Sequence, residues 1–210
     1  MVIEEQVELS NNSRDRQKEE TRRKVFEAAL EVFRRDGVQA CRIDDIVKLA
    51  GVSRGTFYFH FPTKEDVLLA FMHESEAEIT QQLHGLAQDM PIRVVLQTVS
   101  EAMAGIWEGE PGLLPEVATV GLRQAAQSPL QRDGSALRVA LSHRFGKAVE
   151  RQELLSILPP GVMADIFLVN ILAGMLTWTS IQDLALSEVL KNVSRIFLDG
   201  AGSFSLGVGN

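Results

Sequence analysis

The chain has 210 residues, 45% hydrophobic and 23% charged, with seven prolines and one cysteine, Cys41. This composition fits a soluble globular protein with a buried core and excludes a fibrous or disordered chain. A single cysteine also excludes an intrachain disulfide framework and a cysteine-based zinc knuckle, in keeping with a reducing compartment. The net charge of −7 is unevenly spread: residues 14–64 hold twelve Lys and Arg against eight Asp and Glu, a net of +4, and residues 65–210 hold nine against seventeen, a net of −8. A basic N-terminal part on an acidic body is the pattern of a nucleic-acid reader, although a charge run alone fits a solvated face equally well.

In chain order, Met1 to Ser13 is polar and acidic, without the apolar stretch of a secretion signal, and reads as a loose leader. From Arg16 to Asp36, Val25, Phe26, Ala29, Leu30, Val32 and Phe33 recur at helical spacing, and Gly37 ends the helix. A short second helix is predicted over Ile43 to Ala50, with Ile46, Val47, Leu49 and Ala50 on its apolar side and Asp44 and Asp45 in the first turn, where the helix dipole favours them. Gly51 breaks it, and Ser53 suits the N-cap of a third helix that starts at Arg54 and is stopped by Pro62. Thr63 caps a fourth, running to Leu86. Further helices are predicted over Ile92–Trp107, Leu113–Ala126, Pro129–Glu150, Val162–Ile181 and Ser187–Asp199, separated by glycine and proline breakers. The tail from Gly200 is glycine-rich and expected to fray. The apolar run Ile166 to Trp178 contains Asn170 and is flanked by Asp165 and Asp183, so it is expected to be a buried helix, too short to cross a membrane. A cytoplasmic protein with no membrane partner is the expectation.

Short helix, glycine, apolar residue, capped second helix and proline, over Ile43 to Lys64, is the pattern of a helix-turn-helix. In that unit the second helix lies in the major groove and the first braces it across the backbone. Its second helix is rich in groups suited to DNA: Arg54 can pair bidentately with guanine, Thr56 can meet phosphate or a thymine methyl, and Tyr58, His60 and Lys64 offer donors to phosphate oxygens.

Ile46 to Ala50, followed by Gly-Val-Ser-Arg-Gly-Thr-Phe-Tyr-Phe-His-Phe-Pro-Thr-Lys-Glu from Gly51 to Glu65, resembles the tetracycline-repressor (TetR) family of regulators. The resemblance is specific over about Thr21 to Phe71; beyond it, the helix succession and the segment Ala148 to Ser180 are similar in architecture. It implies an all-α fold: a three-helix DNA-binding domain with a helix-turn-helix, joined by a fourth helix to a larger helical domain that binds ligand and dimerises through its last two helices. The expected division is 14–62 for DNA binding and 63–200 for effector binding and dimerisation, with flexible tails at 1–13 and 201–210. Position by position, the resemblance implies that Ser53, Arg54, Gly55 and Thr56 open the recognition helix, that Tyr58, His60 and Lys64 hold the DNA backbone, and that Leu49, Phe57 and Phe61 are core. The family's second helix usually opens with Thr or Ser; Cys41 and Arg42 stand there instead, and Arg42 can supply a charge-assisted phosphate contact in place of the hydroxyl.

One short reading helix binds DNA weakly, so a twofold partner is expected. Leu186, Val189, Leu190, Val193, Ile196 and Phe197 form a stripe on the last helix, and Ala173 and Gly174 on the preceding one are small enough for close approach; together they are the candidate dimer seam of a four-helix bundle. Some 120 residues beyond the DNA-reading part imply an effector site, with Phe71, Met103, Trp107, Leu114, Leu122 and Phe167 as candidate linings. The expected partners are double-stranded operator DNA, a second copy of the chain and a small-molecule effector, with no cofactor. An enzyme is the competing class, but the sequence has no nucleophile elbow, phosphate loop or metal-spaced cluster. His73 and His84 share a helix face at a separation of about 16 Å, too far to share a metal. A helical adaptor without DNA binding is a third class, and it would not need Arg54, Tyr58, His60 and Lys64 together.

Overall fold

The computed structural model describes the backbone of residues 2–127, 135–155, 158–181 and 183–201, and side chains from residue 14 on except 124–127 and 201. Among the described residues there are nine helices and no strand: α1 Val2–Asp36, α2 Ile43–Ala50, α3 Arg54–His60, α4 Lys64–Gly85, α5 Ile92–Trp107, α6 Leu114–Gln127, α7 Ala136–Glu150, α8 Pro160–Ile181 and α9 Leu186–Ala201. The fold is all-α, as expected. Helix α1 starts at Val2, where a loose leader was expected. Helix α7 starts at Ala136 behind the N-cap Ser135 rather than at Pro129, and residues 128–134 and 202–210 lie outside the described residues.

The contacts divide the chain into two compact units, 1–70 and 71–210. In the first, α1, α2 and α3 pack on one another around Val25, Phe26, Ala29, Phe33, Ile46, Phe57 and Phe61. The breaks between helices are set by two glycines in the left-handed region, Gly37 at φ +78° and Gly51 at φ +67°, a conformation that a side chain would strain. At Gly51 the backbone N–H groups of Gly51 and Val52 both return to the Val47 carbonyl, closing α2. Helix α4 opens on a capping box: the Thr63 N–H donates to the Asp66 carboxylate at 2.8 Å, and the Asp66 N–H donates to Thr63 Oγ1 at 3.2 Å.

In the second unit α9 packs against α5 and α8, and α7 packs against α8. Phe145, Phe167 and Phe197 meet at its centre, with ring centroids 5.3 to 6.2 Å apart. Arg144, itself buried, donates to the carbonyls of Leu83, Leu86 and Ala87 and so satisfies the C-terminal end of α4. Glu153 accepts from the Ile92 N–H at 2.6 Å, and Glu108 from the Leu186 N–H at 2.9 Å, so distant carboxylates cap the N-termini of α5 and α9. Helix α8, at 22 residues, is long and apolar enough by length and composition to cross a membrane, which corrects the expectation that its apolar run is too short. One side of it is nevertheless committed to this unit's core, through Met163, Ala164, Phe167, Ile171, Gly174, Met175 and Trp178.

Helices α8 and α9 approach closely at Gly174, where an added Cβ would lie 2.8 Å from Val193 Cγ2, a stiff β-branched side chain. Gly174→Ala is therefore expected to destabilise the protein by about 1 to 3 kcal/mol through overpacking. Adding Val193→Ala should recover part of that loss in denaturant titrations, and independent, additive effects would show that the two residues do not touch.

Candidate nucleic-acid interface

Helix α3 has only seven residues, too few to hold its own shape in water. Its N-terminal end is fixed locally: Ser53 Oγ accepts from the Thr56 N–H at 3.1 Å, and Ser53 Oγ and Thr56 Oγ1 share a further bond of 2.9 Å. Phe57 and Phe61, four residues apart and so on one face, are buried and lie 6.3 Å apart, with Phe61 stacked on Phe26 of α1. The Arg22 guanidinium lies over the Phe61 ring, 4.9 Å from its centroid. Arg54, Tyr58 and Phe59 consequently leave on the outer side, with Tyr58 51% and Phe59 68% exposed.

The candidate DNA residues fall into three groups. Arg42, Ser53, Arg54, Gly55 and Tyr58 are exposed, Arg42 as the extended N-cap of α2 with no capping bond from its side chain. Thr56 and His60 are half-buried. Partial burial, with Lys18 and Arg22 close by, pushes His60 below its ordinary value of 6.5, so its ring is neutral at pH 7. Lys64 is engaged within the chain: Nζ donates to the carbonyls of Val38 at 2.6 Å and Gln39 at 3.2 Å, clamping the turn after α1. Gly55 is held to glycine by nothing in its own chain, because a Cβ there would meet only Ser53 Oγ at an ordinary 3.7 Å.

Two expectations need correcting in this unit. Leu49 is not core but 46% exposed, since α2 turns Ile46 inward and places Leu49 near its rim. Arg54 is not a free fork: Nε and Nη2 donate to Asp44 Oδ1 and Oδ2 at 2.5 and 2.6 Å. The pair holds the Asp44 carboxyl below, and the Arg54 guanidinium above, their ordinary values, chiefly through these hydrogen bonds. Cys41 is buried, and burial pushes its thiol up.

Asp44 and Phe59 are exposed beside the candidate DNA residues although neither was singled out for DNA contact in the sequence. Phe59 was legible in principle: two residues from Phe57 and from Phe61 on a helix, it must face away from the side they bury. It stands edge-on to His60, with the Lys18 ammonium 5.3 Å from its ring.

In the second unit the candidate effector residues do not converge. Trp107, Leu114 and Phe167 are core, Met103 is half-buried, and Leu122 is 55% exposed. Phe71 packs edge-on to Trp107 at 5.1 Å and lines an open groove of about 570 Å³ with Glu78, Gln82, Glu101, Ile106 and Glu110. The candidate dimer stripe divides. Leu186, Leu190 and Gly174 are buried in their own unit, and Phe197 joins the central aromatic cluster. Val189 and Val193 are half-buried, whereas Ala173 is exposed and Ile196 is 69% exposed. No group of three or more potential metal ligands occurs among the described residues.

The family profile described as bacterial regulatory proteins, tetR family, matches residues 25–71. The HTH-type transcriptional regulator SrpR of Pseudomonas putida is 44% identical over 69 residues, which are 31% of this chain and 32% of that one. The match thus spans about a third of that relative's length. Two solved structures share the fold over most of their length. FadR of Thermus thermophilus, described as a TetR family transcriptional repressor in complex with lauroyl-CoA, has a TM-score of 0.68 at 24% identity, covering 90% of this chain and 99% of its own. FadR of Bacillus subtilis in complex with stearoyl-CoA has a TM-score of 0.66 at 20% identity, covering 84% and 97%.

The two carbonyl bonds of Lys64 make its removal costly to folding. Lys64→Ala is expected to lower stability by about 1 to 2 kcal/mol in the absence of any nucleic acid. An unchanged melting temperature would show that the side chain is free for outside contacts alone.

Proposed function

We propose that this chain belongs to the tetR family of bacterial regulatory proteins, whose profile matches residues 25–71, and is a transcriptional repressor that binds a palindromic operator as a homodimer and answers to a small-molecule effector. The observation that carries this reading is the division of α3, with Phe57 and Phe61 sealed into the core and Arg54, Tyr58 and Phe59 directed outward. A short helix fixed along one face, with an arginine at its start, is equipped to enter a major groove and read guanine. Gly55, free of internal demands on its Cβ, leaves room for the backbone to come close to DNA. Ser53 and Thr56 shape the entry of the helix, and Arg42, Tyr58, His60 and Lys64 are assigned to phosphates. His60 would contribute a ring N–H to such a contact.

Dimerisation is assigned to the outward faces of α8 and α9. Val162, Ile166 and Val169 are exposed apolar residues on α8, as is Ile196 on α9. Of these, Ile166 and Ile196 line an open groove of about 510 Å³ that also takes in Ala173, Val193 and Phe197. On a palindromic operator the two reading helices of the dimer would lie about 34 to 36 Å apart, one DNA turn. The effector is assigned to the α4–α5 groove, with Phe71 its apolar contact. Three carboxylates line that groove, which favours a neutral or cationic ligand with an apolar body over the acyl-CoA esters held by the two solved relatives. Such a ligand shifts the population away from the operator-binding form only by its differential affinity for the two forms. No catalytic step is assigned, and the protein acts in the cytoplasm.

Selection from a pool of random duplexes at near-physiological salt tests the reading. Recovery of a palindromic site is expected, and salt-sensitive binding without enrichment would contradict it. Because Phe197 also packs on Phe145 and Phe167, the dimer is probed at the more exposed Ile196: Ile196→Arg should sediment as a folded monomer, and an intact dimer would move the seam elsewhere.

A further inference from the structure

We infer that Asp44 is a specificity-determining positioning residue, which grips one edge of Arg54 and presents the other to guanine. The inference rests on the operator-binding reading given above. A guanidinium carries five N–H groups in a planar fork. Asp44 takes Nε and one hydrogen of Nη2, through bonds of 2.5 and 2.6 Å. That leaves the end-on edge, formed by Nη1 and the other hydrogen of Nη2, whose two parallel N–H groups match O6 and N7 of guanine. The carboxylate and the base therefore occupy different edges of the same plane, and both can be held at once.

The placement of the two residues supports this role. Asp44 lies in the first turn of α2 and Arg54 is the first residue of α3, so the pair spans the turn between the two helices. Both helices are short and anchored, through Ile46 and Phe57. The α2 dipole and the Arg54 fork both favour the ionised carboxylate. Both side chains are solvent-exposed, and an exposed ion pair contributes little to folding. A bidentate bond does, however, restrict the rotamers of a long side chain, so Arg54 meets the groove with its guanidinium plane already set. The same carboxylate also opposes DNA phosphates, which weakens binding to every sequence alike. Asp44 on this account lowers general affinity and raises discrimination.

The opposed effects give the test. Wild type, D44N, D45N, R54A and the D44N/R54A double variant would each be carried through selection from random duplexes, followed by titration of the recovered site and of unrelated DNA, with melting curves recorded alongside. R54A should lose guanine preference at one position in each half-site, by about 5- to 150-fold. D44N should lose preference at that same position by about 3- to 10-fold, a fraction of the bidentate value, and bind unrelated DNA more tightly than wild type. The D44N/R54A double variant should discriminate no worse than R54A alone. D45N makes the same charge change on a neighbouring residue of α2 and should bind all DNA more tightly with its guanine preference intact. The inference is overturned if D44N keeps the wild-type preference, if D44N and R54A change different positions, or if D45N loses as much preference as D44N. A wild type that enriches no site overturns the operator reading and this inference with it, whereas a wild type that enriches a site isolates any failure to Asp44.

Discussion

A seven-residue helix does not persist in water, so everything that α3 presents to the outside depends on what fixes its inner face. Phe57 and Phe61 do this by burial, and the two rings pack on each other and on Phe26 of the long α1. Local chemistry then sets the direction in which the helix leaves: the left-handed Gly51, the Ser53 cap, and Lys64 clamping the turn after α1. With that face and both ends set, Arg54, Tyr58 and Phe59 have nowhere to go but outward. An apolar contact thus places the polar chemistry, and a residue such as Phe57, which would touch no ligand, matters as much to recognition as one that does.

The second unit uses charge differently. Charged side chains close helix ends there: the buried Arg144 for α4, the half-buried Glu153 for α5 and the exposed Glu108 for α9. Orphan backbone groups at a helix end are costly to bury, and a side chain from a distant helix that satisfies them also ties the two helices together. The central aromatic trio and the close α8–α9 approach at Gly174 complete a core that stands within this unit. Among the described residues an apolar outer face stays exposed on α8 and α9, including Val169 and Ile196.

Much of the fold was legible because helix ends are written in residue chemistry. Gly37, Gly51, Ser53, Pro62 and Thr63 place the bounds of α2, α3 and the start of α4 within a residue, and capping and steric rules act over three or four positions that a sequence displays directly. What depends on tertiary direction was less legible. Leu49 and Ile46 both lie on the apolar side of α2, yet only Ile46 is buried, because periodicity gives a face and not its width. The last helix shows one stripe, but Leu186 and Leu190 serve their own core while Ile196 does not, and a sequence cannot say which edge of a stripe meets which neighbour. Asp44 was visible as a first-turn acid, but its partner Arg54 is ten residues on, and their meeting depends on the turn geometry.

The central claim is that α3 enters a major groove with Arg54 on guanine, and replacing guanine by 7-deazaguanine tests it most directly, because only the N7 acceptor is lost while Watson–Crick pairing is kept. On the site recovered by selection, the substitution at one guanine in each half-site, the two about one helical turn apart, should weaken wild-type binding by about tenfold or more and leave R54A unaffected. Equal binding to the substituted and unsubstituted duplexes at every guanine of the site would contradict the account.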